Sequence, residues 1–311
     1  FEAAEITGKG AAVYQDLGVT TETEAAEIIN WVRGLDQDGL RSRQIRNNEN
    51  DLITWRLGDV VHSTPTVVSR PMEGYHFLYR DPTYAAFARK YNHRRHMAYF
   101  GGNDGMLHAV NGGFFNNDQN RFCLTLTCED DEEDFALPLG AEVWAYVPYN
   151  LWPHLKCLTE EGYGHKYYVD LVPRIFDVQI FTPSATHPNG WGTILVGGMR
   201  FGGEKVNLNG KIFSSAYFVF DITDPEAPPT LLGEMTFTDS EAEMGFSTSV
   251  PTVVPMVVKD KDDDSNTTSE WYLVLGSGPT TLKGQSDQEG RVAVIDLKAL
   301  TDGDIPFRIP P

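Results

Sequence analysis

The sequence predicts an all-β chain of repeated four-stranded sheets, led by one short helix. Three observations carry this reading. Its 29 glycines and 18 prolines are spread evenly over 311 residues, which favours short strands joined by turns. From about residue 55 onward the apolar runs are short and take on a strand pattern. A grammar of four steps then recurs three times in the same order.

Residues 1–21 show no clear period. Residues 22–34, ETEAAEIINWVRG, read as a packing helix. Thr21 or Thr23 caps its start, acidic residues fill its first turn, and Gly34 ends it. Ala25, Ile28, Ile29 and Val32 form an apolar stripe at helical spacing. The repeat follows. Step one is a Ser/Thr/Val-Pro pair before an apolar run, with prolines at 65, 173 and 251. Step two is an apolar strand ending in glycine: HMAYFGGNDG, GTILVGGMRFGG and WYLVLGSG. Step three ends in Asn or Asp: MLHAVNGG, AYFVFDITDP and VAVIDLK. Step four is EVWAYVP, LLGEMTF and PFRIP. The prolines are unevenly spaced, and the segments 75–95 and 116–134 read as loop insertions that explain it.

Four strands per unit, with glycines between the second and third, is the pattern of a β-propeller blade. Such a sheet cannot bury both faces alone, so blades stack around an axis. Propellers need ~4–8 blades, so three units predict a partial propeller. The expected division is a lead-in segment over 1–54, with the helix, and blades over 55–311. Phe1 in place of Met, and the ending at Pro311, read as processed or truncated ends.

The formal net charge is -19 and the isoelectric point is near 4.7. So acidic a surface repels phosphate backbones, which argues against nucleic acid as a partner. No apolar run reaches the ~18 residues that suggest a membrane-spanning helix, so no membrane insertion is expected.

Cys123 and Cys128 bracket a short polar stretch and are disulfide candidates in an oxidising compartment. Cys157 is then the odd one, buried or paired elsewhere. Asp260, Asp262 and Asp264 stand at alternate positions of an acidic segment and are the best calcium candidates, because calcium takes ~6–8 oxygen ligands. Ser265 and Trp271 stand where an EF-hand needs Gly and Glu, so a solvated acidic hairpin remains the competing reading. Asp36 and Asp38 read as a helix-terminating turn rather than a cation site, and the run 129–134 as a solvated loop. Asn103-Asp104-Gly105 suits a tight hairpin. His62, His108 and His165 read as hydrogen-bonded blade residues, and Trp55, Trp144 and Trp191 as packing between blades. No G-x-S-x-G, H-E-x-x-H or P-loop occurs, and the glycine-rich stretch 197–203 opens no clear helix, so no catalytic site is expected.

An ordered set of segments carries a resemblance. It runs from Trp55-Arg56-Leu57-Gly58-Asp59-Val60-Val61-His62-Ser63-Thr64-Pro65 to Tyr99-Phe100-Gly101-Gly102-Asn103-Asp104-Gly105-Met106-Leu107-His108-Ala109. It continues through Glu142–Pro148, Gly162–Asp170, Leu195–Gly198, Phe220–Pro225 and Gly245–Pro251. This set resembles the C-terminal propeller of the PilC/PilY family of type IV pilus tip adhesins, whose blades are quinoprotein-like. The resemblance implies an extracellular protein at the pilus tip, associated with the outer membrane. It implies a role in pilus assembly, retraction and attachment, minor pilins and host or abiotic surface ligands as partners, and a calcium loop. In the family that loop ends with Asp at its ninth position, where Thr268 stands here. The alternatives are a quinone-dependent dehydrogenase on a similar propeller, which calls for adjacent cysteines absent here, and a purely structural scaffold for a partner chain.

Overall fold

The computed structural model of the protein describes residues 14–128, 137–236, 244–259, 267–302 and 307–308. Helix α1 (Glu22–Val32) starts where Thr21 accepts a hydrogen bond from the Glu24 amide, while the Glu24 carboxylate reaches back to Thr20 and Thr21. It ends at Gly34, whose φ of 95° is open to glycine at little cost. It buries Ala25, Ile28, Ile29, Trp31 and Val32. Strands β1 (Gln44–Arg46) and β2 (Leu52–Thr54) form an isolated hairpin.

The first blade opens with β3 (Thr66–Val68). The segment expected to be a loop then holds two helices, α2 (Tyr75–Leu78) and α3 (Pro82–Lys90). Asp81 caps α3, Pro82 occupies its first turn, and Tyr84 and Phe87 are buried. Strands β4 (His96–Gly101), β5 (Leu107–Asn116) and β7 (Glu142–Tyr146) complete the blade, and β6 (Arg121–Cys123) pairs with the far end of β5. After helix α4 (Trp152–Leu158) comes the second blade. It consists of β8 (Arg174–Gln179), β9 (Trp191–Gly198), β12 (Tyr217–Asp221) and β13 (Thr230–Met235). A small hairpin, β10 (Val206–Leu208) and β11 (Lys211–Phe213), is inserted in it. The third blade is β14 (Thr252–Lys259), β15 (Thr267–Gly276), β16 (Val292–Asp296) and β17 (Phe307–Arg308), with α5 (Leu297–Thr301) between the last two. Each blade is antiparallel throughout, and its strands lie side by side in chain order. Each step of the sequence grammar supplied one strand.

Two cores hold the blades together. One joins the first blade, α1 and α4 to the second blade. The other joins the second blade, α3 and the third blade. The second blade is covered on both faces, and every residue of β9 is buried. This is why its sequence, WGTILVGG, is a continuous apolar run rather than an alternation. Strand β4 instead alternates buried and half-buried residues, as a sheet with one covered face does.

Aromatic side chains bridge the blades. Trp144 lies 5.6 Å from Phe220, centroid to centroid. Trp191 contacts Tyr84, Tyr75 and Trp271, at 4.9, 5.5 and 5.5 Å, and its indole N–H donates to Thr83. Trp55 departs from the expectation. It is 60% exposed and follows β2, ahead of the first blade, where it lines an open cleft. Trp271, 3% exposed and not singled out in the sequence, packs between the second and third blades against Trp191.

Candidate functional site

The segments that lead into the first strands of the three blades are stitched to one another. The Ser63 hydroxyl donates to the Leu171 carbonyl at 2.9 Å and accepts from the Gly101 amide at 2.7 Å. The Ser247 hydroxyl oxygen accepts from the Met199 and Arg200 amides at 3.0 and 2.9 Å. Ser249 Oγ accepts from the Gly276 amide at 2.9 Å. Glycines make this close approach possible: a Cβ on Gly101 would stand 2.2 Å from the Val169 carbonyl oxygen, and one on Gly202 only 1.9 Å from that of Tyr168.

Charged groups gather on the same seam. Asp170, 1% exposed, accepts from the His62 amide at 2.9 Å. Its other oxygen lies 2.7 Å from His62 Nδ1 and 3.3 Å from the Arg200 guanidinium. Arg200 adopts φ 55°, a conformation that non-glycine residues rarely hold. Its backbone is fixed there on both sides, since the Arg200 carbonyl also accepts from Ser215. The glycine-rich stretch 197–203 is therefore a strained turn that aims an arginine, and it opens no helix.

Asp59 accepts from Asn103 and faces His165 Nε2 at 2.9 Å. Burial works against the Asp59 carboxylate, but the His165 and Asn103 hydrogen bonds outweigh it and hold its pKa below the usual value. In the Asn103-Asp104-Gly105 turn, Gly105 takes φ 100° and Asp104 is buried. Asp104 accepts from the Gly58 and Met106 amides and lies 3.2 Å from His108 Nε2, while Glu142 lies 2.6 Å from His108 Nδ1. Burial alone would lower the His108 pKa, yet the two carboxylates overcome it and raise it to about 9. The three histidines are thus each hydrogen-bonded.

Above the seam lies a cleft of about 400 Å³, lined by His62, His165, Tyr167, Arg200, Phe201 and Leu282. His154 also lines it. Burial pushes the His154 pKa down, a hydrogen bond to the Glu204 backbone offsets part of this, and its Nε2 is buried with no partner among the described residues. Such a cleft, with aromatic walls and fixed polar groups, offers both stacking surfaces and hydrogen-bonding groups to a ligand. The seam serines Ser63, Ser247 and Ser249 are bonded to backbone groups, and Ser247 also to the Ser215 hydroxyl.

Sequence reasoning missed Arg200 and also Glu234. The latter accepts from Tyr146, from the Tyr149 and Asn150 amides and from Asn150 Nδ2, tying the end of the first blade to β13. Nothing in LLGEMTF marks that glutamate. Cys123 and Cys128 are joined in a disulfide with Cα atoms 5.2 Å apart, and Cys157 is a free, half-buried thiol on α4. Asp36 lies in the turn after α1, with both carboxylate oxygens buried and without a hydrogen-bond partner among the described residues. Asp260, Asp262 and Asp264 lie outside the described residues, as does the acidic run 129–134. Among the described residues no group of three His, Cys, Asp or Glu is arranged to hold a metal ion.

Comparison with known proteins adds three findings. A family model described as the PilY1 beta-propeller domain matches residues 57–305. The type IV pilus biogenesis factor PilY1 of Pseudomonas aeruginosa strain UCBPP-PA14 is 27% identical over 285 residues, covering 89% of this chain and 19% of that protein. A PilY1 homolog of Xylella fastidiosa strain Temecula1 is 29% identical over 276 residues, covering 86% of this chain and 18% of its own length. The chain therefore spans about a fifth of the length of the curated relatives it matches. The crystal structure of the Pseudomonas aeruginosa PilY1 C-terminal domain matches with a TM-score of 0.43 and 22% identity, covering 79% of this chain and 37% of that one. With a family model spanning the seam and every blade strand but the last, the chain belongs to the PilY1 beta-propeller domain family.

Proposed function

We propose that this chain is part of a non-enzymatic module at the tip of type IV pili, acting in pilus assembly and retraction and in attachment to host or abiotic surfaces. The family match over residues 57–305 carries the proposal. The module works outside the cell, at the outer surface, with minor pilins of the tip complex as partners. A non-enzymatic role is supported by serines spent on backbone bonds and histidines spent on carboxylates. Calcium held by Asp260, Asp262 and Asp264 is the proposed regulator.

The blades belong to a larger ring. The outer face of the third blade presents Val254, Met256 and Val292, 40, 52 and 49% exposed. That of the first presents Val67, 63% exposed, beside half-buried Ala98, Phe100 and Val110. Apolar sheet faces of this kind call for further blades.

The test is a domain exchange. Residues 57–305 replace the matching propeller segment of Pseudomonas aeruginosa PilY1 in a strain lacking its own copy. Surface pili and twitching zones are then measured. Restored piliation supports the proposal. A stably produced, exported chimera that leaves cells bald overturns it.

A further inference from the structure

The hairpin of β1 and β2 is held out into solvent. Its strands pair only with each other among the described residues, and Ile45, Leu52 and Ile53 are 40, 59 and 42% exposed. Two strands alone are marginal in water, and free apolar edges invite another strand. At the base of the hairpin is a cleft of about 300 Å³ whose walls include Arg41, Arg43, Ile45, Trp55, Arg56 and Tyr163. Trp55 leaves 60% of its surface to water, while Trp31, Trp191 and Trp271 are buried.

Among the described residues, the arginines of this cleft hydrogen-bond to backbone or to nothing. Arg41 donates to the Leu158 carbonyl at 2.8 Å and lies 4.6 Å from the centre of the Tyr163 ring. Arg43 donates to the Trp31 carbonyl and stacks 3.7 Å above its indole, leaving a buried Nε without an acceptor among the described residues. Arg56 forms no hydrogen bond or ion pair among the described residues. Three carboxylates lie near. Asp104 faces His108, whose raised pKa keeps it charged, while Asp59 lines the cleft as a carboxylate held ionised by its hydrogen bonds. Asp36 beside Arg43 and Asp59 thus offset two of the three guanidinium charges and leave one. On a chain of net charge -19, this is a local excess of positive charge around an exposed indole.

We propose that the hairpin and the arginine cleft at its base bind an extended acidic peptide of a partner protein, added as a third strand. Strand addition supplies main-chain hydrogen bonds, and alternate side chains find apolar contacts at Ile45, Ile53 and Trp55. The remaining side chains, Glu or Asp, meet the guanidinium groups, whose planar forks fit a carboxylate. The site is separate from the outer blade faces, so it and the pilus reading fail separately.

Fluorescence anisotropy tests it on the whole chain, with a labelled peptide of about ten alternating glutamates and valines. A lysine–valine peptide of equal length is the control. The acidic peptide saturates, its affinity falls as salt rises, and the lysine peptide binds at least about tenfold more weakly. Trp55→Ala and Arg56→Glu, both at exposed positions, each weaken binding about tenfold or more with an unchanged melting temperature. N-methylating the peptide backbone weakens it similarly, because the strand bonds are lost. Absent saturation at millimolar peptide, equal binding of the lysine peptide, or indifference to both substitutions overturns the proposal. So does indifference to N-methylation. Self-association abolished by Arg56→Glu makes a second copy the occupant, and preference for polygalacturonate makes it a saccharide; either overturns it as well.

Discussion

Gly101 ends β4 where the chain of the next blade passes overhead, and a methyl group there has no room against the Val169 carbonyl. Gly101→Ala is expected to cost about 1–3 kcal/mol through overpacking. Gly162→Ala, with open space around its Cα and an ordinary φ, changes stability by less than about 0.5 kcal/mol. Urea titration of both variants checks the contrast. His108 makes a pH prediction. Its folded pKa, about 9, lies above the ordinary value of 6.5. The stabilisation is therefore complete below about pH 6.5 and is lost as the pH rises through 9. The expected loss is on the order of 3 kcal/mol. Melting temperatures from pH 6 to 10 should fall in the parent and fall less in His108→Gln. A parent curve as flat as that of the variant would disprove the charged clamp. The turn around Asp104 was readable from Asn-Asp-Gly. Its partner Gly58 was not, because 46 residues separate them and no local pattern encodes the contact.

Helix α3 shows how an element can be visible and still be missed. Asp81-Pro82 is a helix start, and Tyr84, Phe87 and Tyr91 follow at helical spacing. Flanking Gly, Pro and Asn made the whole stretch read as a loop. Asp81→Ala should cost about 1 kcal/mol, because Asp81 accepts from the amides of Thr83 and Tyr84. Thermal melts of the two proteins measure it. The strands were the more legible elements, since each repeats a pattern that its neighbours repeat. Helix α1 was legible to within two residues at its end, where Gly34 turns the chain. At the β5–β6 edge, mass spectrometry of protein isolated without reductant should find Cys123 bridged to Cys128 and one free thiol at Cys157. Three free thiols in such material would remove the bridge.

At the scale of the molecule, the radial order of strands was legible and the seam between blades was not. The sequence shows what each blade repeats. The seam is built from what differs among them, such as Arg200, Asp170 and Glu234. The calcium proposal also belongs here, because Asp260, Asp262 and Asp264 lie in the segment that joins β14 to β15. A bound ion at a hundred times its dissociation constant stabilises a fold by roughly 2.7 kcal/mol. Calcium at millimolar concentration is expected to raise the melting midpoint, and magnesium is not. Asp264→Ala should abolish the rise. A midpoint indifferent to calcium would leave these carboxylates to solvent.

The complete burial of β9 has a consequence in time. Amide protons exchange with solvent only when a segment opens, and opening is cheapest where one face already meets water. The middle blade cannot open until the first or the third has come away. In heavy water the amides of β9 and its neighbour β12 should therefore be the last to exchange, at the rate of global unfolding. Those of β3 and the free β1–β2 hairpin should go first, so that the order of exchange records how the blades are stacked.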